Sequence, residues 1–330
     1  MSLEAGDCAP MELDHMNLRD LRFLSVCGFL AATMLHSVQM NAQNLTLEGY
    51  TGGFITPTAY VVESTKGQFF SHPAVGYHFL NANAVIGNVH AFGIAEGFAN
   101  RAEIAYGRNV HMTGNSPLFS SLWHFAGMNI FSGKVVAIKD GQFRTWVPAL
   151  AVGGIARTSD HFVSGAIYQE LTHIPKTYST GDLYVVATKT WAKPPVPFLV
   201  TFGWKLTNAE ILGLGGQATR FGGRFFGGLG IPLPGPWKTA IVPSAGLMQE
   251  PAQVQNLGAI LVGGKAHIPT TLDYAIRVTQ REHPHFSFDI GVGQVAGQIG
   301  TTYISSPPLG FVPVNLNARH VVGTGLSYRY

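Results

Sequence analysis

Hydrophobic and polar positions along this chain alternate with a period of two. From Phe198 to Thr207 one parity reads Phe198, Val200, Phe202, Trp204 and Leu206, and the other ends Thr201, Gly203, Lys205 and Thr207. Leu272, Tyr274, Ile276 and Val278 alternate with Asp273, Ala275 and Arg277. Phe286, Phe288, Ile290 and Val292 alternate with Ser287, Asp289, Gly291 and Gly293, and Ala102, Ile104 and Tyr106 with Arg101, Glu103, Ala105, Gly107 and Asn109. At the C-terminus Val322, Thr324, Leu326, Tyr328 and Tyr330 oppose Arg319, Gly323, Gly325, Ser327 and Arg329. Successive side chains of a strand point to opposite faces. Each stretch therefore predicts a strand with one greasy face and one face that is small or charged.

Extending the pattern predicts strands near 67–80, 84–95, 101–112, 129–139, 144–157, 180–190, 197–207, 221–231, 237–249, 269–280, 284–297 and 316–330. The period is clear in the stretches named above and ambiguous around Tyr184–Thr188 and Trp237–Pro243. The connections give an independent check. Those at 96–100, 140–143, 191–196, 232–236 and 281–283 are brief, and those at 113–128, 158–179, 208–220, 250–268 and 298–315 are longer. Only 81–83 breaks the alternation. Short turns at one end and long loops at the other are the habit of outer-membrane barrels, which also favour an even strand number. The fold class is thus all-β, an antiparallel transmembrane β-barrel of about 12 strands, with a soluble β-sandwich as the alternative that alternation alone also permits. Trp146, Trp191, Trp204 and Trp237 fall near strand ends, where aromatic girdles belong.

Composition points the same way. Charged residues make up 12% of the 330 residues and there are 40 glycines, with a mean hydropathy of +0.17. Soluble proteins carry about 25% charged residues. No apolar run in the body of the chain reaches the roughly 20 residues that a spanning helix requires. Near the N-terminus, Arg19 and Arg22 precede an apolar stretch from Phe23 to Leu35, and Val38–Ala42 offers a cleavage site. This is the layout of a secretory signal, so residues 1–42 are expected to be a signal peptide and residues 43–330 a single outer-membrane barrel domain. The acidic residues before Met16 are foreign to such a signal, and Met16 is the possible true start. Leu24–Cys27 is a poor lipoprotein site because Val26 precedes the cysteine. Both cysteines, Cys8 and Cys27, fall before the cut, so no disulfide is expected in the exported chain. Residues 1–42 hold five acidic and two basic side chains, and their removal raises the net charge from +3 to +6. That balance, without a basic cluster interleaved with aromatics, excludes a nucleic-acid partner.

Candidate chemistry follows from parity. Arg101, Glu103, Lys134, Lys205, Asp273, Arg277, Asp289 and Arg319, with Arg329, fall on the inward parity, because a cation on the lipid face at mid-depth costs about 2–4 kcal/mol. They are the candidate lumen and solute-binding set. Two readings remain open: a pore lined by ion pairs, in which an excess of Arg and Lys favours anions, or a barrel that fills its centre with paired charges and conducts nothing. His161, Glu170 and His173 share one predicted outer loop, and His283 and His285 flank Pro284, but neither spacing is a metal motif. Ser120, Ser121 and His124 are close in sequence without a nucleophile elbow. No catalytic residue, metal or cofactor is assigned. No amphipathic helix that would serve as a plug is evident, Ser120–Met128 being the best short candidate.

The segment Gly49-Tyr50-Thr51-Gly52-Gly53-Phe54-Ile55-Thr56-Pro57-Thr58-Ala59 lacks the Lys-Ser/Thr of a phosphate loop. Its G-x-T-G-x-x-x-x-P-T-A pattern resembles the start of YjbH-type outer-membrane proteins associated with exopolysaccharide production, and is closer still to a bacterial family called domain of unknown function 3034. Asn100–Ile104, Val147–Gly153 and Asp182–Lys189 fit the same families, and the resemblance runs from about Glu48 to the end. It implies an outer-membrane barrel without an established activity. The functional expectation is a porin-like or solute-binding barrel passing a polar or anionic solute, linked to envelope polysaccharide export, and not an enzyme. The alternatives are an outer-membrane lipid or lipopolysaccharide hydrolase and a closed structural or interaction barrel. Expected partners are outer-membrane lipid, lipopolysaccharide and the barrel assembly machinery.

Overall fold

The computed structural model describes residues 44–65, 67–81, 87–112, 127–160, 163–175, 177–192, 196–214, 216–251, 254–255, 270–280, 285–296, 301–306, 310–315 and 320–329. The expected signal segment lies outside these residues. Twelve long strands form the sheet: β1 (Ala74–Asn81), β2 (Asn88–Phe98), β3 (Ala102–Met112), β4 (Met128–Ile138), β5 (Ala149–Ser159), β6 (Ser179–Trp191), β7 (Phe198–Glu210), β8 (Gly216–Gly230), β9 (Thr239–Gln249), β10 (Thr270–Gln280), β11 (Phe286–Ala296) and β12 (His320–Arg329). Each pairs antiparallel with its sequence neighbour, and β12 returns to β1 in a ladder from Ala74↔Arg329 to Asn81↔Val322. β8 and β9 join through Phe226↔Met248 to Gly230↔Ser244, and a short strand Leu233–Pro234 continues that ladder against β9. The sheet is therefore a closed barrel.

Closure is what permits these strands to sit in lipid. A backbone amide that faces hydrocarbon without a partner costs several kcal/mol, and only a closed ladder removes both edges. The outward parity carries the matching surface: Phe92 and Ile94, Ile104 and Tyr106, Phe131 and Val135, Val200, Phe202 and Trp204, Tyr274 and Ile276, and Ile290 are all exposed. Cross-strand aromatic contacts knit this band, with Tyr106 against Phe131 at 5.2 Å and Phe202 stacked on Phe225 at 5.7 Å between ring centroids. Such pairs stabilise neighbouring strands by up to about 1 kcal/mol each. Among the described residues no helix is long and apolar enough to cross a membrane, and the crossing is made by strands. The chain is an outer-membrane β-barrel.

The connections 99–101, 139–148, 192–197, 231–238 and 281–285 lie at one end, and 82–87, 113–127, 160–178, 211–215, 250–269 and 297–319 at the other. The first end is the periplasmic one by the rule of short turns. Trp146, Trp191 and Trp237 sit there, Trp191 stacked on Phe198 at 4.6 Å. The outer connections contain α1 (Val163–Thr172) and a separate two-stranded hairpin, Thr301–Ser306 with Gly310–Asn315.

Four features depart from the sequence pattern. The turn expected at 140–143 is the longer connection 139–148, and β5 begins at Ala149 instead of residue 144. β1 begins at Ala74, later than residue 67: the residues just before it stay outside the ladder, with Phe69 and Phe70 exposed and Phe70 joined to the sheet by an isolated bridge to Phe98. The connection 208–220 is not a long loop: a bulge between Thr207 and Ala209 carries the β7–β8 ladder on to Glu210↔Gly216. A single 3-10 turn, Ile211–Gly213, then closes it, with the Ile211 amide donating to the Glu250 carboxylate at 2.8 Å. The lengthened β7 also moves Trp204 from the girdle to mid-strand, facing outward between Val185 and Phe225.

Two measurements check this fold. On a gel of the outer-membrane fraction, the unboiled protein is expected to resist SDS and to change mobility on boiling. Phe131→Arg, at mid-height on the lipid face, is expected to destabilise the barrel by about 2–4 kcal/mol and lower the temperature of that conversion, whereas Ala137→Arg near the strand end costs about 0–1 kcal/mol. Equal effects from the two arginines would contradict the assigned depth.

Candidate functional site

Residues 44–62 do not join the sheet; they fold inside it. The sequence dictates a compact double turn rather than a strand or helix. Gly49 takes a φ of +89°, open to glycine at little cost, and allows the Gly49 amide to donate to Thr46 O at 2.9 Å and the Thr46 amide to Tyr50 O at 2.7 Å. A second turn follows, with the Gly53 amide donating to Thr56 O at 2.8 Å and the Gly52 amide to Asn44 O at 3.0 Å. Isolated bridges Leu45↔Thr51 and Gly52↔Pro57 tie the two together. The segment fulfils much of its backbone hydrogen bonding within itself.

Its apolar side chains finish the interior of the barrel. Leu45, Leu47, Tyr50, Phe54, Ile55, Ala59, Val61 and Val62 are buried in one cluster with Ala91, Ala105, Ile130, Ala151, Tyr184, Val186 and Phe226 from the wall. Gly49 lies directly on Gly93 and Gly107: a Cβ on Gly49 would come within 2.9 Å of Gly93 Cα and 3.1 Å of Tyr106 O. Only a glycine-to-glycine approach lets the turn pack so closely on β2 and β3.

The polar anchors fall into three groups. Nearest the periplasmic end, the Glu103 carboxylate accepts from the Thr51 amide at 2.9 Å, the Thr51 hydroxyl and the Val62 amide at 2.9 Å. Lys134, 3.4 Å from Glu103, donates to the carbonyls of Thr51 at 3.1 Å and Thr58 at 3.2 Å. At the deep end of the segment, Glu48 is paired with Arg157 through both carboxylate oxygens and accepts from the Tyr50 hydroxyl at 3.0 Å. Arg157 also reaches Asp182 at 2.8 Å; Asp182 accepts from the Thr207 hydroxyl and lies 3.9 Å from Lys205. On the opposite wall, Arg277 grips Asp289 with two bonds of 2.7 and 3.0 Å and points Nη1 at Gly52 O, 3.4 Å away. The segment is also pinned by the Ala59 amide on Thr188 and by the Ser287 hydroxyl on Asn44, at 2.8 and 2.7 Å.

The structure thus unites Glu103 with Lys134 and Arg277 with Asp289, and puts Lys205 in the Arg157–Asp182 group. Asp273 is buried on the inward face of β10. Arg101 is not inside: β3 starts one residue later, and the Arg101 guanidinium rests on the carbonyls of Val136 and Ala137, at 3.3 and 3.0 Å, at the periplasmic end of β4. Arg329 likewise turns to Glu63, donating to its carbonyl where the segment leaves the barrel. Arg319 lies outside the described residues, as do Ser120, Ser121, His124, His161 and His283. The pattern missed Arg157 and Asp182, although both share the inward parity of Ala151, Gly153, Tyr184 and Val186. It missed the segment itself as well; the available signal was a stretch of more than 20 residues between the expected cleavage site and the first strand. With Arg157 and Asp182 added, Lys134, Arg157, Lys205 and Arg277 face Glu103, Asp182, Asp273 and Asp289, and Glu210 and Glu250 are buried as well at the outer ends of β7 and β9. The described wall carries no excess of cations, and the expected tilt toward anions has no basis in it.

No protein-family model matches the chain, and no curated protein does so. Among solved structures, the NanC porin is 8% identical over 78% of this chain and 100% of its own, with a TM-score of 0.43. The KdgM porin is 10% identical over 78% and 99%, with a TM-score of 0.42. LpxR from Salmonella typhimurium is 7% identical over 78% and 100%, also at 0.42.

Breaking a buried pair by deleting one partner costs about 3–5 kcal/mol because the other charge is stranded. Arg157→Met, which leaves Glu48 and Asp182 facing each other without their cation, is expected to weaken the closed form by that amount. Protease sensitivity of residues 44–62 and the temperature of the gel shift should both register it. Arg224→Met, whose partly exposed side chain contacts the Glu250 and Gly223 carbonyls, should leave the protease sensitivity of residues 44–62 unchanged.

Proposed function

We propose that the protein is an outer-membrane channel for small polar solutes, held closed by its own N-terminal segment. One observation carries this reading: the segment enters and leaves the lumen at the same end. Asn44 lies beside Ser287 near the periplasmic start of β11, and the exit passes Asn100, whose carboxamide accepts from the Ser64 amide in the β2–β3 turn. A segment that dips in and returns can be withdrawn whole without opening a strand ladder. Its polar anchors are hydrogen bonds and ion pairs, which water and a polar solute replace at small net cost.

The solute class follows from the wall. Thr188, Thr201, Thr207, Ser287 and Ser327 are buried on the inward face among paired charges, a lining of hydroxyls and dipoles without an excess of cations. Such a surface substitutes for the hydration shell of a hydroxylated solute. The likeness of residues 49–59 to YjbH-type proteins supports a saccharide connected with envelope polysaccharide export.

Planar-bilayer recording is the test. The full chain is expected to conduct poorly, and a variant lacking residues 44–62, or carrying Glu103→Gln with Lys134→Gln, to conduct at least several-fold better. A deletion variant that still shifts on heating yet passes no current would favour the closed interaction barrel instead.

A further inference from the structure

The periplasmic connection 139–148, between β4 and β5, is folded on itself. The Gly141 amide donates to Val147 O at 3.0 Å, the Gln142 amide to Lys139 O at 3.1 Å and the Val147 amide to Arg144 O at 2.9 Å. Gln142 ties it to the neighbouring β2–β3 turn: its side-chain oxygen accepts from the Lys139 amide at 3.0 Å and from Arg101 Nη2 at 3.3 Å. Three cations, Arg101, Lys139 and Arg144, are thereby gathered on one stretch of the rim. Among the described residues no carboxylate pairs with any of them, and the Arg101 guanidinium rests only on neutral oxygens of Val136, Ala137 and Gln142. The acid of the turn, Asp140, is already engaged: Lys189 is paired with it, and the Tyr60 hydroxyl and Thr190 amide donate to it at 3.0 and 3.2 Å. Cations clustered without a counter-charge attract an anion from outside.

The same turn carries apolar surface. Phe143 and Trp146 are 69% and 67% exposed. Toward mid-membrane on the same two strands, Val135 and Val152 are cross-strand partners exposed on the outward face. The turn therefore continues the lipid-facing band, and its rings stand at the level where aromatic side chains meet headgroups. An acidic protein would match the charge alone. A lipid matches both halves, with a phosphate among the cations and acyl chains against the band. A zwitterionic headgroup brings its own ammonium to this cluster and is matched less well. We propose that the 139–148 turn, together with Arg101, docks an anionic phospholipid of the periplasmic leaflet, its phosphate among Arg101, Lys139 and Arg144 and its glycerol and upper acyl region against Phe143 and Trp146.

This surface does not depend on the channel reading, and its test reads no current. The full-length barrel in detergent is titrated with phosphatidylglycerol and with phosphatidylcholine of the same acyl chains, and bound lipid is counted by native mass spectrometry. A Lys or Arg beside an anionic lipid surface adds about a fivefold preference. Phosphatidylglycerol is expected to bind tighter by at least that factor, and the preference to shrink as ionic strength rises, because the charges are exposed. Lys139→Gln with Arg144→Gln, checked for the heat-induced gel shift, should bring the two lipids within about twofold of each other. Lys238→Gln, in the separate periplasmic connection 231–238, should leave the preference intact. Phe143→Ala with Trp146→Ala should weaken both lipids and keep their ratio. Equal binding of the two lipids by the unaltered protein, an undiminished preference in the folded double variant, or an equal loss in Lys238→Gln would each overturn the proposal. Poly-glutamate held more tightly than phosphatidylglycerol would also overturn it, assigning the turn to an acidic protein partner.

Discussion

Glu103 and Lys134 are directly opposite each other on β3 and β4, and both point into the barrel with almost no exposure to solvent. An ion pair so deeply desolvated does not hold itself together. Removing each charge from water costs several kcal/mol, and mutual attraction repays this only when the remaining donors and acceptors are also satisfied. The wall does not satisfy them; residues 51, 58 and 62 do. Thr51 and Val62 bring amides to the carboxylate while Thr51 and Thr58 bring carbonyls to the ammonium. The inner segment and the interior charges therefore require one another whenever the lumen is dry.

The same dependence explains the abundance of glycine. A barrel of twelve strands encloses more width than its own side chains fill, and here the space is shared between a folded segment and a few large residues. Gly93 and Gly107 clear the wall for Gly49. Gly153 makes room for the Tyr184 ring, Gly203 for Phe226 and Gly325 for His78. These inward glycines are not a hydrated pore lining; each makes room for a ring or for the inner segment.

What was legible in the sequence was the part selected by lipid. Phe202, Tyr274 and Ile290 announce the outward parity because the bilayer tolerates nothing polar there at mid-depth, and Glu103, Lys134, Lys205, Asp273 and Asp289 follow by elimination. Arg101 misled because parity is meaningful only within a strand, and the turn frees its guanidinium to reach backbone carbonyls. Arg157 and Asp182 stand toward strand ends, where a window boundary hides the alternation. The inner segment has no period at all. Its partners, Glu103, Lys134, Arg157 and Arg277, lie between 40 and 230 residues further along, and a turn-rich stretch of Gly, Thr and Pro carries no local sign of what it will touch.

The wall's charges are arranged so that withdrawal of the segment need not strand them. Glu103 retains Lys134, Arg277 retains Asp289, and Arg157 retains Asp182, with Lys205 close by. Only Glu48 among the paired carboxylates belongs to the segment, and it would leave with it toward water, where an unpaired carboxylate costs nothing. A structural plug under no demand to move has no use for this division; burying an unmatched cation on the wall against an acid on the plug would hold it more firmly. The pairing within the wall limits the penalty of opening to hydrogen bonds that water can remake and to the apolar contacts of Leu45, Tyr50, Phe54 and their neighbours. That apolar contact, at roughly 25 cal/mol per Å² buried, is then the principal force keeping the lumen closed.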